Sequence, residues 1–161
     1  MLTKLGNKTR RAGGVTFAIV ASRYNARYVD SMLRAAKAEI LRAGGSVHIV
    51  RVPGAYEIPI AAAKLARLST VAGNPPLGGI VCLGVILRGQ TVHAEHIGIA
   101  VTHALMDVQL RFEVPVIHEV LLLENEEQAR ARCVDAKFNR GMEAAQTALE
   151  MARVMRQAGE A

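Results

Sequence analysis

Hydrophobic and polar positions follow two rhythms along this chain, one of strand length and one of helical period. VTFAIVAS (15–22) is a short apolar run, the length of a strand. From Asp30 to Ala43 the apolar positions Met32, Leu33, Ala36, Ile40 and Leu41 recur at helical spacing, which predicts a helix that Gly44-Gly45 stops. SVHIVRV (46–52) alternates apolar and polar side chains, as a strand does. Pro53-Gly54 then turns the chain into EIPIAAAKLARL (57–68). That stretch reads as a helix, with Glu57 at its positive end and Pro59 in the first turn, where proline is tolerated.

Residues 69–78 form a turn-rich loop, and GIVCLGVIL (79–87) is apolar throughout, as expected of a central strand covered on both faces. His93–Leu110 predicts a long helix, VPVIHEVLLL (114–123) a fourth strand, and Glu126–Arg132 a helical segment. Asn139-Arg140-Gly141 predicts a break before a last helix over 142–157. Alternating strands and helices predict an α/β fold, a three-layer sandwich with a four-stranded parallel sheet flanked by helices on both faces. The expected organisation is an N-terminal arm over 1–14 and a single catalytic domain over 15–161.

Composition narrows the class. A chain of 161 residues buries roughly two-thirds of its unfolded surface, enough for one core. With 51% apolar and 21% charged residues it reads as globular and not disordered. Aromatics make up only 4%, and the small aliphatic side chains that replace them suit helices packed closely on a sheet. Cys82 and Cys133 lie far apart and form no metal or disulfide pattern, which fits a reducing compartment. No apolar run approaches the length of a membrane span. Arg10-Arg11 before an apolar stretch resembles a twin-arginine export signal, but Val15–Ala21 is short and runs into Arg23. It is read as a first strand, and the protein as cytoplasmic.

The formal charge of +6 raises the question of anionic partners. Basic residues are scattered from Arg10-Arg11 through Arg51 and Arg88 to Arg156. A nucleic-acid reader would mass them on one element and add stacking aromatics or a reading helix. Neither is present, so no nucleic-acid partner is expected, while a phosphate site using one or two of the arginines fits.

The chemistry collects where strands end. In an open parallel sheet, ligands bind at the carboxyl ends of the strands. The first strand runs into Ser22-Arg23-Tyr24-Asn25, the second into Pro53-Gly54-Ala55-Tyr56-Glu57, the third into Arg88-Gly89-Gln90-Thr91-Val92-His93. Parallel topology sends all three to one edge. Gly89-Gln90-Thr91 before a helix is either an anion seat of free amides or an ordinary cap by Thr91. His93, in the first turn, is a natural proton shuttle or else a surface histidine. Tyr24 suits stacking on a planar ligand and Glu57 suits accepting hydroxyl hydrogens, though both tyrosines equally suit packing. His93, His96 and Glu95 lack a cluster that would complete a metal site, so no metal is expected.

As a set these residues resemble the 6,7-dimethyl-8-ribityllumazine synthase family, whose fold is flavodoxin-like. The matching stretches are Arg23-Tyr24-Asn25, ValProGlyAlaTyrGluIlePro (52–59) and GlyValIleLeuArgGlyGlnThrValHis (84–93). ValProVal (114–116), GluGlnAla (127–129) with Arg132, and AsnArgGly leading into GluAlaAla (139–145) follow in family order. The resemblance implies a transferase of riboflavin biosynthesis that condenses 5-amino-6-(D-ribitylamino)uracil with 3,4-dihydroxy-2-butanone 4-phosphate, without metal or organic cofactor. It implies that Tyr24 stacks on the pyrimidine, and that Ala55, Tyr56 and Glu57 hold the ribityl amine. Val85, Ile86 and Leu87 would line the ring, Gln90 and Thr91 would cradle the phosphate, and His93 would move protons. His118 and Arg132 match positions that the family supplies from an adjacent subunit, with Arg132 gripping the phosphate. The family builds homopentamers or pentamer-based shells, with sites between subunits.

The chain departs from the family pattern at several positions. His118 stands where an aromatic residue is usual, Tyr24 where Phe is typical, Arg140 where lysine is common, and Phe138 where glycine marks a bend. The loop Ala72–Gly78 is longer than usual. The rival readings are a shell-forming or flavin-binding relative without turnover, and a flavodoxin-like redox protein.

Overall fold

The computed structural model describes residues 11–160; the first ten residues of the expected arm lie outside the described residues. Four strands, β1 (Thr16–Ser22), β2 (Ser46–Val52), β3 (Leu77–Leu87) and β4 (Val116–Leu123), alternate with helices α1 (Ala26–Arg42), α2 (Ile58–Ser69), α3 (His93–Phe112), α4 (Glu126–Cys133) and α5 (Arg140–Gly159). The sheet has the order β2-β1-β3-β4 and every pairing in it is parallel. Side chains alternate across it, as strand geometry demands. Phe17, Ile19, Val81 and Leu83 face α1, α4 and α5. Ala18, Val20, Ile80 and Cys82 face α2 and α3. The expected three-layer sandwich is therefore present.

Small residues let the layers close. Ala144, Ala145, Ala148 and Ala152 lie buried on the inner face of α5. At Gly141 a Cβ would stand 2.1 Å from the Met32 carbonyl oxygen, so only glycine allows α5 to begin against α1. Cys82 and Cys133 are buried free thiols.

Several boundaries differ from the pattern-based reading. Helix α1 starts at Ala26 and not at Asp30, because Asn25 adopts the left-handed conformation (φ 56°), which asparagine tolerates better than most residues. Asn139 does not break the chain after α4 but caps α5, its side-chain oxygen accepting from the Gly141 amide at 2.9 Å. The helix accordingly begins at Arg140. Strand β3 starts at Leu77, ahead of the expected Gly79. A Cβ on Gly78 would meet Val15 at 2.5 Å, so glycine is what lets this end of the strand approach β1.

Candidate active site

Strand order reverses between β1 and β3: from β1 the chain steps outward to β2, from β3 outward to β4. At such a switch point the loops leave in opposite directions and open a crevice at the carboxyl ends. An open cleft of about 550 Å³ occupies it, lined by Tyr24, Asn25, Gly54, Ala55, Tyr56, Glu57, Val85, Ile86, Leu87, His93 and Ile97. Tyr24, Ala55, Tyr56, Glu57, Val85, Ile86, Leu87 and His93, nominated from the sequence, thus share one cavity.

Backbone contacts fix the walls. The Arg23 and Tyr24 amides donate to the Pro53 carbonyl, each at 3.0 Å, stitching the first loop to the second. Asn25 donates its side-chain amide to the Val85 carbonyl at 2.7 Å, tying the first loop to β3. The Tyr24 ring lies so close over Gly54 that a Cβ there would stand 2.9 Å from the ring. Tyr24 remains 69% exposed and Tyr56 66% exposed, leaving aromatic faces available for a planar ligand. Glu57 accepts from the Gly54 amide at 2.8 Å through Oε2, so its second oxygen is left for a ligand hydroxyl. The floor, Val85 and Ile86, is apolar and buried.

His93 is the first residue of α3 and is exposed at the mouth of the cleft. Gln90 and Thr91 lie in the adjoining exposed turn, outside the cavity lining. Thr91 does not cap α3: the cap position is Val92, and no side chain bonds there. The capping alternative is thereby removed, and the hydroxyl stays available at the positive end of the helix.

His118 and Arg132 do not reach the cleft of their own chain. His118 on β4 points toward α3, its Nε2 lying 2.9 Å from the Thr102 hydroxyl oxygen. That hydroxyl donates to the Gly98 carbonyl, so His118 donates from Nε2, while Nδ1 accepts the Val120 amide at 3.3 Å. Burial lowers the His118 pKa from its usual 6.5, consistent with this neutral tautomer. Arg132 is exposed on α4. Among the described residues no three His, Cys, Asp or Glu side chains gather to hold a metal ion.

Sequence reasoning gave no role to Asn25, whose signal was a residue prone to the left-handed region between strand and helix. It missed Ile97, which sits one helical turn after His93 and had no signal of its own.

A doubly wound parallel sheet with a polar-rimmed, apolar-floored cleft over its switch point defines a small-molecule enzyme scaffold of flavodoxin-like architecture. The family model described as 6,7-dimethyl-8-ribityllumazine synthase matches residues 14–156. The chain belongs to that family. The 6,7-dimethyl-8-ribityllumazine synthase of Stenotrophomonas maltophilia (strain R551-3) is 40% identical over 144 residues, covering 88% of this chain and 89% of the relative. The protein of the same name from Xanthomonas euvesicatoria pv. vesicatoria (strain 85-10) is 40% identical over 142 residues, 86% of this chain and 88% of its own.

Proposed function

We propose that this cleft is where the chain condenses 5-amino-6-(D-ribitylamino)uracil with 3,4-dihydroxy-2-butanone 4-phosphate. The products are 6,7-dimethyl-8-ribityllumazine, phosphate and two waters, a transferase step of riboflavin biosynthesis. The observation that carries this assignment is the convergence of Tyr24, Glu57, Val85–Leu87 and His93 on one cavity.

Each wall has work to do. Tyr24 stacks on the pyrimidine over the apolar floor of Val85, Ile86 and Leu87. Ala55 and Tyr56 hold the ribityl amine, and the open oxygen of Glu57 accepts from ribityl hydroxyls. The amine attacks the ketone, water leaves to form an imine, phosphate departs, and the ribityl-bearing nitrogen closes the ring on the remaining carbonyl carbon with loss of a second water. Little covalent work falls to the protein, so holding the two reactants together supplies much of the rate. Gln90, Thr91 and the amides of the helix end receive the phosphate, and a cation stabilises its departure. His93 at the mouth relays protons between successive steps.

The cation is Arg132 of a neighbouring subunit, which accounts for its position away from its own cleft, and His118 joins it from the same neighbour. Assembly is supported by the outer face of α3. Val92, Ile99, Met106 and Leu110 are large, exposed apolar residues there, and His96 and His103 are exposed between them. Their spacing alternates four and three, the 3.5-residue repeat of helices that supercoil together. The opposite positions Ala94, Val101 and Val108 are buried in the subunit's own core. A helix apolar on two faces calls for a second partner, here copies of itself in a pentamer or a pentamer-based shell. No described helix is long and apolar enough to cross a membrane, and a cytoplasmic location suits the two free thiols.

The test is incubation of the purified protein with both substrates, followed by lumazine absorbance and fluorescence. Product formation is expected. Tight ligand binding without product would overturn the assignment in favour of a non-catalytic relative.

A further inference from the structure

An exposed ring is placed by its backbone, since little packs against it. Tyr24 is 69% exposed, so where its ring stands depends on how the loop between β1 and α1 is held. Strand β1 pairs with β3 as far as Ala21 and Leu83. Beyond that pair the two strands part to open the crevice, and side chains take over from the ladder. Asn25 bonds to the Val85 carbonyl at 2.7 Å. The peptide between Ser22 and Arg23 is held through both of its polar groups. Its N–H donates to the Val52 carbonyl at 2.8 Å, and its carbonyl oxygen accepts from Arg51 Nη2 at 2.9 Å. The N–H and C=O of a trans peptide point opposite ways, so a long side chain is needed to make the second bond from the same strand.

The other arm of that guanidinium, Nη1, meets Asp30 of α1 at 2.7 Å. Arg51 therefore grips the chain at Ser22, before the Tyr24 loop, and at Asp30, after it. A guanidinium is planar and rigid and so fixes the spacing of the points it holds; a lysine ammonium on its flexible stem does not. With side-chain exposures of 27% and 37%, the Arg51–Asp30 pair is screened less than one in open solvent. The second loop, Pro53-Gly54, leaves the same strand just after Arg51, and a Cβ on Gly54 would stand 2.9 Å from the Tyr24 ring. One strand end thus supplies both the surface against the ring and the clamp on its loop. We propose that Arg51 is a positioning residue that clamps the Tyr24 loop at both ends and so sets the ring where the pyrimidine stacks. This rests on the role given to Tyr24 above.

The experiment is steady-state kinetics of the assembled enzyme with each substrate varied in turn, in the parent and in Tyr24→Ala. In the parent, Arg51→Met frees the loop, and the KM for the uracil rises about tenfold, the lower end for a lost charged hydrogen bond. The KM for the phosphorylated ketone changes less than about twofold, because Arg51 touches nothing on the phosphate side. Arg51→Lys keeps one of the two contacts and gives an intermediate rise; it carries the comparison should Arg51→Met not assemble. Tyr24→Ala raises the uracil KM by itself, and Arg51→Met added to it changes that value less than about twofold, since the clamp acts through the ring. A merely structural role would lower the urea midpoint and leave the ratio of the two KM values where it was. That outcome overturns the proposal, as does an equal rise in both backgrounds or a ketone KM that rises with the uracil KM. An unchanged uracil KM in Tyr24→Ala removes the stacking role of Tyr24, whereas a raised one with Arg51→Met unaffected removes only the role of Arg51.

Discussion

Glu57 holds the second loop in shape and, in the proposed reaction, grips the sugar chain; two substitutions separate these jobs. Its Oε2 takes the hydrogen of the buried Gly54 amide at 2.8 Å. Glu57→Ala leaves that amide buried without an acceptor, a cost of about 1–3 kcal/mol. Glu57→Gln keeps an acceptor of the same shape and loses only charge assistance and the favourable helix-end charge, under about 1 kcal/mol. The ribityl hydroxyl on the other oxygen loses a hydrogen bond to a charged group, worth about 1.5–3 kcal/mol. In Glu57→Gln a neutral bond replaces it, so the uracil KM should rise about tenfold; in Glu57→Ala nothing does, and the rise should approach about a hundredfold. The ketone KM should stay unchanged in both. Initial rates of lumazine formation with each substrate varied give the constants, and urea unfolding at fixed protein concentration gives the stabilities. An assembled Glu57→Ala enzyme with an unaltered uracil KM would refute the reasoning, as would both KM values rising together.

Three further variants probe other parts of the structure. His93→Ala should lower kcat about a hundredfold, the lower end for a lost proton relay, and flatten the pH profile with assembly intact; an unaltered rate and profile would remove His93 from the mechanism. Gly141→Ala gains helix propensity but sets a Cβ 2.1 Å from the Met32 carbonyl oxygen, so urea unfolding should show a loss of about 1–3 kcal/mol, and unchanged stability would show that α1 and α5 separate freely. His118 has a pKa lowered from 6.5 by burial, so its contribution to stability is present above about pH 6.5 and is lost as pH falls through the lowered value. In a comparison of urea midpoints from pH 8 to pH 5, His118→Phe should lose less on the acid side than the parent, and equal losses would contradict the neutral tautomer.

Much of the cleft was legible because parallel topology leaves little choice. Once three strands are parallel neighbours, their carboxyl ends share an edge, and the Tyr24, Glu57 and His93 loops must meet. Local patterning placed every strand and helix but gave Asn25 no role and read Asn139 as part of a break. Asn25 precedes a helix in a left-handed conformation, and its side chain bonds to Val85, sixty residues away. Asn139 and its neighbours read as a break because a cap and a breaker use the same residue type. The ion pair between Glu119 and Arg140 was not legible at all, since it forms only when the start of α5 packs against β4. Nor does a single chain's pattern say where Arg132 points, because its position away from its own cleft is a fact of tertiary structure.

The claim that one cleft is completed by a neighbour's arginine is tested most directly by mixing two damaged subunits. His93→Ala spoils the cleft and leaves Arg132 intact; Arg132→Ala does the reverse. Co-expressed in equal amounts and assayed at low phosphorylated ketone, they should form intact junctions at about one quarter of the subunit contacts of a ring whose neighbours meet head to tail. Activity should then exceed the mean of the two parents by about a quarter of the undamaged rate. Activity fixed at the mean of the two parents, in oligomers shown to contain both subunits, would mean that each chain works alone.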